Sequence, residues 1–340
     1  MLAANLVDAP GLTSVAVVPT SDAGAHYRSG RETAARAGGF QPAPNLNLHN
    51  YGGKTIEHLT FTHVYIGGES AWAASDMQAI DTALSAAMTD TRLNNVLAQY
   101  YPDNAATSAF KPSRVLPEPC PPVVYRDTIE SMVTMLDTAN GLSGFDLGTS
   151  VFCFMLPRGV VLVDGTSSGG NARHHQEERE DEGGSVAAHE RDEQVDSKHG
   201  LGGYHGSVHA KHGAKKDTVY YAVGVYSEGA NGIVAFDAPW KNVCATFYHE
   251  LCEARTDPDV EDAIRAGNSS HANDFLGWYS PRGGEIGDIP MEEAGADLGK
   301  VMKEVPLQHG GTAPIQLQWS NAVGGPEGPI SKKHAKPAAA

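Results

Sequence analysis

The stretch from Phe247 to Pro258, FYHELCEARTDP, concentrates side chains that ligate metals and carry protons. His249 and Glu253 lie four residues apart, so on a helix they stack on one face with Cβ atoms about 6 Å apart. Side chains so placed can converge on one ion. Glu250 is rotated from His249 by about 100°, which sets its carboxylate beside such an ion, ready to take a proton from a bound water. Zinc lowers the pKa of bound water to roughly 7 and polarises a carbonyl oxygen, so the pattern points to hydrolysis with Glu250 as general base. The second histidine of the HExxH signature is replaced by Glu253. Carboxylates also ligate zinc, at about 2.0 to 2.2 Å. The competing reading is an ordinary solvated helix face on which His249, Glu250, Glu253 and Arg255 interact only with water and one another.

Further donors must come from elsewhere in the chain. In GWYSPRGGEIGDIP, Glu285 and Asp288 stand three residues apart behind a Gly-Gly pair. Glu285 is a candidate third ligand, and Asp288 a candidate acceptor that orients a ligating histidine, as Asp257 could also be. Trp278 and Tyr279 just upstream are candidate substrate contacts. His205, in GGYHG, competes for the third position, because flanking glycines let the backbone approach closely and an imidazole adds nitrogen to a carboxylate-rich set. With His249, Glu253 and Glu285 a zinc ion would be formally neutral. With His205 instead of Glu285 one positive charge would remain to acidify water. Both candidates are expected within a few ångströms of His249 and Glu253, with at least one of them ligating.

The elements that must hold these residues can be read from periodicity. Asp237 as N-cap, Pro239 in the first turn and Pro258 beyond the end bound a helix over about 239–256, with Val243, Phe247 and Leu251 as its apolar seam. TIEHLTFTHVYIG (Thr55 to Gly67) reads as a strand. SVFCFMLPRGVVLV reads as a buried strand broken at Pro157-Arg158-Gly159, and TVYYAVGVY as another. Helices are expected at SDMQAIDTALSAAM, where Ser75 and Gln78 have capping-box spacing, at TRLNNVLAQYY, and at DTIESMVTMLDTANG, where Asp127 and Glu130 repeat that spacing. From about 165 to 216 the composition turns polar, so a solvated, mobile insertion is expected. Its His174, His175, His189 and His199 read as solvated rather than as a metal site. Residues 1–50 read as a loosely packed arm, 51–325 as one domain, and 326–340 as a disordered tail.

The 340 residues suffice for a sizeable core. A formal net charge of −16 argues against a phosphate-tracking surface, so nucleic acid is excluded as a partner. No run of about 18 apolar residues occurs, so no membrane span is expected. The N-terminus has no basic segment followed by an uninterrupted apolar one, so no secretory signal is expected. The four cysteines, Cys120, Cys153, Cys244 and Cys252, lack paired spacing and read as buried thiols rather than a disulfide framework.

HELCEARTDP, then GWYSPRGGEIGD, then QLQWSN resembles the HEL-x-EA-x-TDP, WY, GE-x-x-D and WSN pattern of the EXORDIUM-like, phosphate-induced proteins of plants and their bacterial relatives. VYIGG, LAQYY, CFMLPRGVV and GYH precede it in the order that family shows, so the resemblance covers roughly residues 55 to 325. Glutamate at the Glu253 position is usual there. The chain departs from the family where Ile289-Pro290 follow Asp288, since a cysteine is common close after that aspartate. The helix is also similar to the metal helix of thermolysin-type proteases, in which a glutamate and then an aspartate follow, as Glu285 and Asp288 do. The expectation is a single α+β, zincin-like domain with a mixed sheet packed against helices and the 239–256 helix lining a cleft. The activity expected is that of a hydrolase dependent on zinc or another divalent metal, a peptidase in the first place. The rival, from the signalling role associated with the plant proteins, is a non-catalytic binding protein whose same residues hold a structural ion or a polar network.

Overall fold

A computed structural model describes residues 40–167, 195–212, 215–266 and 271–335. Six α-helices lie among them: α1 (Ala74–Thr89), α2 (Thr91–Leu97), α3 (Arg126–Thr138), α4 (Pro239–Thr256), α5 (Val260–Ala266) and α6 (Asp288–Ala294). The strands of the main sheet are β1 (His58–Ile66), β2 (Thr107–Phe110), β3 (Arg114–Leu116), β4 (Ser150–Met155), β5 (Gly203–His212) and β6 (Lys215–Gly224). Their spatial order is β2, β1, β4, β6, β5, with β3 extending the β2 side along β1. All pairings are parallel except that of β6 with β5. The fold is thus mixed α+β, as expected.

Both faces of the sheet are covered, which explains why its central strands read as continuous apolar runs rather than as alternating ones. Val151, Cys153, Met155, Tyr220 and Ala222 point to the side of α1 and α4. Their neighbours Phe152, Phe154, Val219, Tyr221 and Val223 point to the side of α3, against Ile129 and Val133. The period of two along each strand separates the two cores. In β5 the same alternation sends Tyr204 to the α3 side and therefore His205, which pairs with Ala222, to the side of α4.

Helix α4 is buried from Asn242 to Thr256 without interruption. Its start has Pro239 in the first turn, but Asp237 is not the cap. The N-cap is Ala238, with no side-chain cap, while the Asp237 carboxylate pairs with Lys241. Asn242 secures the entry instead, accepting from the Ala235 and Phe236 amides. The capping boxes expected at Ser75 and Asp127 are likewise absent, since α1 and α3 begin without side-chain caps. At the other end Arg255 is fully buried. It donates to the backbone carbonyls of Ile56, Glu57 and Thr107 and to the side chains of Asn94 and Ser108.

Three boundaries differ from the expected ones. Strand residues occupy 195–196, 203–212 and 215–216, inside the stretch expected to be an insertion; residues 168–194 and 213–214 of that stretch lie outside the described residues. Residues 43–48 dock on the domain, with Ala43, Leu46 and Leu48 buried and Leu48 bonded through both backbone groups to the Asn321 side chain. Gly325–Glu327 pairs with Gln318–Ser320, so the sheet structure runs into the expected tail. A hairpin of β7 (Met302–Pro306) and β8 (Thr312–Gln316) lies against α4 and brings Gln316 to it. No helix among the described residues is long and apolar enough to cross a membrane. All four cysteines are free, three of them buried.

Candidate metal centre

The solvated-face reading of α4 ends with the burial of its polar residues: His249, Glu250 and Glu253 are 1%, 1% and 3% exposed. Four segments converge on them. Helix α4 supplies His249, Glu250, Glu253 and, at its end, Asp257. Strand β5 supplies His205. The turn after Tyr279 supplies Glu285 and, at the first residue of α6, Asp288. Strand β8 supplies Gln316 from behind.

Glycine makes the approach of the turn possible. Gly283 and Gly284 have φ of +88° and +96°, a conformation other residues rarely adopt, and they reverse the chain so that Glu285 points inward. Gly287 has an ordinary φ, but a Cβ there would come within 2.4 Å of His249 Nδ1 and 2.9 Å of Glu253 Oε1. The amides of Gly287 and Asp288 both donate to Glu253 Oε1, at 3.1 and 3.0 Å. That fixes the carboxylate and leaves Oε2 facing the cluster.

Each imidazole is oriented by an acceptor on its outer side. His249 Nδ1 donates to Gln316 Oε1 at 2.9 Å, and Gln316 Nε2 is anchored on the Gly287 carbonyl at 2.6 Å. His249 Nε2 therefore faces inward, within hydrogen-bond reach of Glu253 Oε2 at 3.0 Å, 3.8 Å from Asp288 Oδ1 and 4.0 Å from Glu250 Oε1. His205 Nε2 donates to the Asp257 backbone carbonyl at 3.1 Å. Its Nδ1 then faces Glu250 Oε2 at 3.6 Å and Glu253 Oε2 at 3.8 Å. An acceptor behind a histidine that turns its other nitrogen toward a cluster of carboxylates is the arrangement that metal ligands adopt.

The cluster is rich in negative charge. Burial raises the Asp257 carboxyl to about 8, against the pull of the Gly277 amide that it accepts from. Burial and the neighbouring Glu253 push Glu285 and Asp288 well above the usual carboxylate range, and burial raises Glu250 as well. Glu253 goes the other way: burial would raise it, but His249, His205 and the Gly287 amide together hold it below its ordinary value. For the imidazoles, burial opposes charge, yet facing carboxylates outweigh it. Glu253 and Glu250 push His249 to about 10, and Glu250 and Glu253 push His205 to about 9.

The donors fit a divalent cation. Atoms about 2.0 to 2.2 Å from a tetrahedral ion stand about 3.3 to 3.6 Å apart. Most separations in the cluster, at 3.6 to 4.0 Å, are too long for hydrogen bonds and close to that spacing. Glu250 Oε1, Asp257 Oδ2 and Glu285 Oε1 are buried with no hydrogen-bond partner at all, and such orphaned groups are rare and costly. Two groups of three donors meet a common-ion distance, His249 with Glu253 and Asp288, and His205 with Glu253 and Glu285. Glu253 belongs to both.

His205, Glu285, Glu250 and Glu253 thus lie together beside His249, and Asp288, expected only to orient a ligand, stands among the donors. Asp257 does orient His205, through its carbonyl rather than its carboxylate. Trp278 lies away from the site, whereas the Tyr279 phenol, buried with no hydrogen-bond partner, is raised by burial and then by the charges of Glu285, Asp288 and Asp257 near it. The two residues form a short strand paired with His49–Asn50, and Trp278 is a core residue stacked edgewise on Tyr100, with its indole bonded to the Tyr100 carbonyl. Gln316 was not legible beforehand; its place in QLQWSN carried no periodic or spacing signal. Comparison with known proteins adds no relative: no family model, curated protein or solved structure matches the chain.

Proposed function

We propose that the chain is a zinc-dependent hydrolase, a peptidase of zincin-like architecture related to the EXORDIUM-like proteins. The observation that carries the reading is the pair of oriented imidazoles whose inward nitrogens face buried carboxylates, with Glu250 and Glu285 each holding an unpartnered oxygen. His249, Glu253 and Asp288 would hold the ion, with Gln316 fixing the His249 tautomer. A bound zinc supplies an acidified water and polarises a substrate carbonyl. Glu250 is the general base: burial raises its affinity for a proton, and Oε1 has no competing partner, so it can take a proton and pass it to a leaving amine.

A second reading rests on the size of the space. The cavity at the cluster is about 10 Å³, lined by His205, Glu250, Glu253, Glu285, Asp288 and the α5 residues Val260, Glu261 and Ile264, among others. That is room for a single water or ion on the His205 side of the cluster, a space that His249 does not line. The catalytic reading therefore requires α5 to move aside for substrate, whereas a structural ion in a binding or signalling protein requires no opening. Digestion of a broad peptide library by the zinc-loaded chain decides between them. The hydrolase reading expects cleavage that Glu250→Gln lowers by at least about 100-fold with zinc retained. Cleavage unaffected by Glu250→Gln would overturn the assigned base, and no cleavage of any peptide or ester would leave the structural-ion reading.

A further inference from the structure

We infer that the cluster holds two divalent cations rather than one, the second seated on His205, Glu253 and Glu285. The inference rests on the reading of the cluster as a metal centre and goes beyond it in number and place. The two donor groups share only Glu253. The Glu253 atom that faces both is Oε2, 3.0 Å from His249 Nε2 and 3.8 Å from His205 Nδ1, while Oε1 is occupied by two amides. A carboxylate in that position is a natural bridge between ions about 3.5 to 4 Å apart.

The empty space lies on the His205 side. His205, Glu253 and Glu285 line the cavity, and His249 does not. Glu285 is 4% exposed, its Oε1 has no hydrogen-bond partner, and the nearest basic atom is His205 Nε2 at 3.6 Å. That nitrogen is already committed to the Asp257 carbonyl, so it cannot also satisfy the carboxylate.

Charge supports the count. Glu250, Glu253, Asp257, Glu285 and Asp288 are all buried around two imidazoles. With neutral imidazoles, one divalent cation leaves a formal charge of about −3 and two leave about −1, and buried uncompensated charge is expensive. Protons can neutralise the metal-free cluster, but a protonated carboxyl still needs an acceptor for its O–H, and the buried oxygens of Glu250, Asp257 and Glu285 have no hydrogen-bond partner. Glu261, the remaining acid at the cavity wall, is already paired with Arg126. The mixed imidazole and carboxylate donors suit zinc, cobalt or manganese.

The test uses the full chain, stripped with a chelator and titrated with zinc or cobalt alone. Metal content after gel filtration gives the stoichiometry, and the cobalt absorption bands give the order of filling. The wild type is expected to bind two equivalents in two resolved phases, a result that needs no variant. Glu285→Gln, which keeps the shape of the side chain, and His205→Ala should each weaken the second phase at least tenfold and the first by less than about threefold. A single equivalent under excess metal overturns this inference and leaves the metal-centre reading standing; no metal at all overturns both. A second equivalent that survives both variants sits elsewhere on the chain, on His174, His175, His189 or His199 for instance, and also refutes the proposal.

Discussion

Gln316 is the residue on which the orientation of His249 depends, and replacing it separates a role in metal binding from a role in folding alone. The side chain is fully buried and makes two hydrogen bonds, accepting from His249 Nδ1 and donating to the Gly287 carbonyl. Gln316→Leu removes both and leaves a buried donor and a buried acceptor. At about 1 to 3 kcal/mol for each orphaned group, the loss of stability should be about 2 to 6 kcal/mol. His249 is then free to rotate or to change tautomer, and loss of such an orienting contact typically weakens metal binding about 10- to 100-fold. Gln316→Glu keeps an acceptor for Nδ1, loses the donor to Gly287 and adds a carboxylate to a buried acidic cluster. The metal-free protein should lose at least about 1 to 3 kcal/mol, with zinc affinity at or above that of the wild type. Competition against a chromophoric chelator measures the affinity, and urea unfolding of the metal-free protein measures the stability. If both variants lose stability while neither changes zinc affinity, Nε2 of His249 is not a ligand and the reasoning fails.

Two further outcomes follow from buried charge. In metal-free protein Asp257 is raised from 3.8 to about 8, and Glu250, Glu285 and Asp288 are raised too. The native state therefore holds protons that the unfolded chain releases, and the associated stability is complete near pH 4 and lost as pH rises through about 8. His205 and His249, raised from 6.5 to about 9 and about 10, lose their contributions in the same direction; only Glu253, which is lowered, opposes. The melting temperature in chelator should fall between pH 5 and 9, and saturating zinc should flatten the fall; a metal-free melting temperature that rises over this range contradicts the electrostatic account. Separately, Arg255→Ala strips donors from five buried or part-buried acceptors and should destabilise by about 3 to 5 kcal/mol in denaturant unfolding. A loss under about 1 kcal/mol would show that the arginine does not hold the end of α4.

The legibility of this chain was uneven for physical reasons. The spacing of His249, Glu250 and Glu253 fixed their relative placement because a helix converts sequence separation into angle, and Pro239 marked the helix start because its missing N–H costs nothing there. The central strands showed as apolar runs because both faces are covered. Strand β5 did not, because GYHGSVHAKH follows a polar stretch and is itself polar, an edge strand held by backbone pairing to β6 rather than by composition. Asp237 and Asp127 were expected to cap helices, yet other partners took them, Lys241 in the case of Asp237 and Ser167, distant in sequence, in the case of Asp127. The grouping of Asp288 with His249 and of Glu285 with His205 depended on the direction of a turn set by Gly283 and Gly284, and one-dimensional spacing does not encode that.

The most direct test of the central claim is elemental analysis of the purified chain after exchange into zinc-containing, then zinc-free, buffer, with His249→Ala alongside. The account expects at least one tightly held equivalent of zinc per chain in the wild type and a loss of at least one in the variant. Retention of no metal by the folded wild type, or the same content in both proteins, would contradict it.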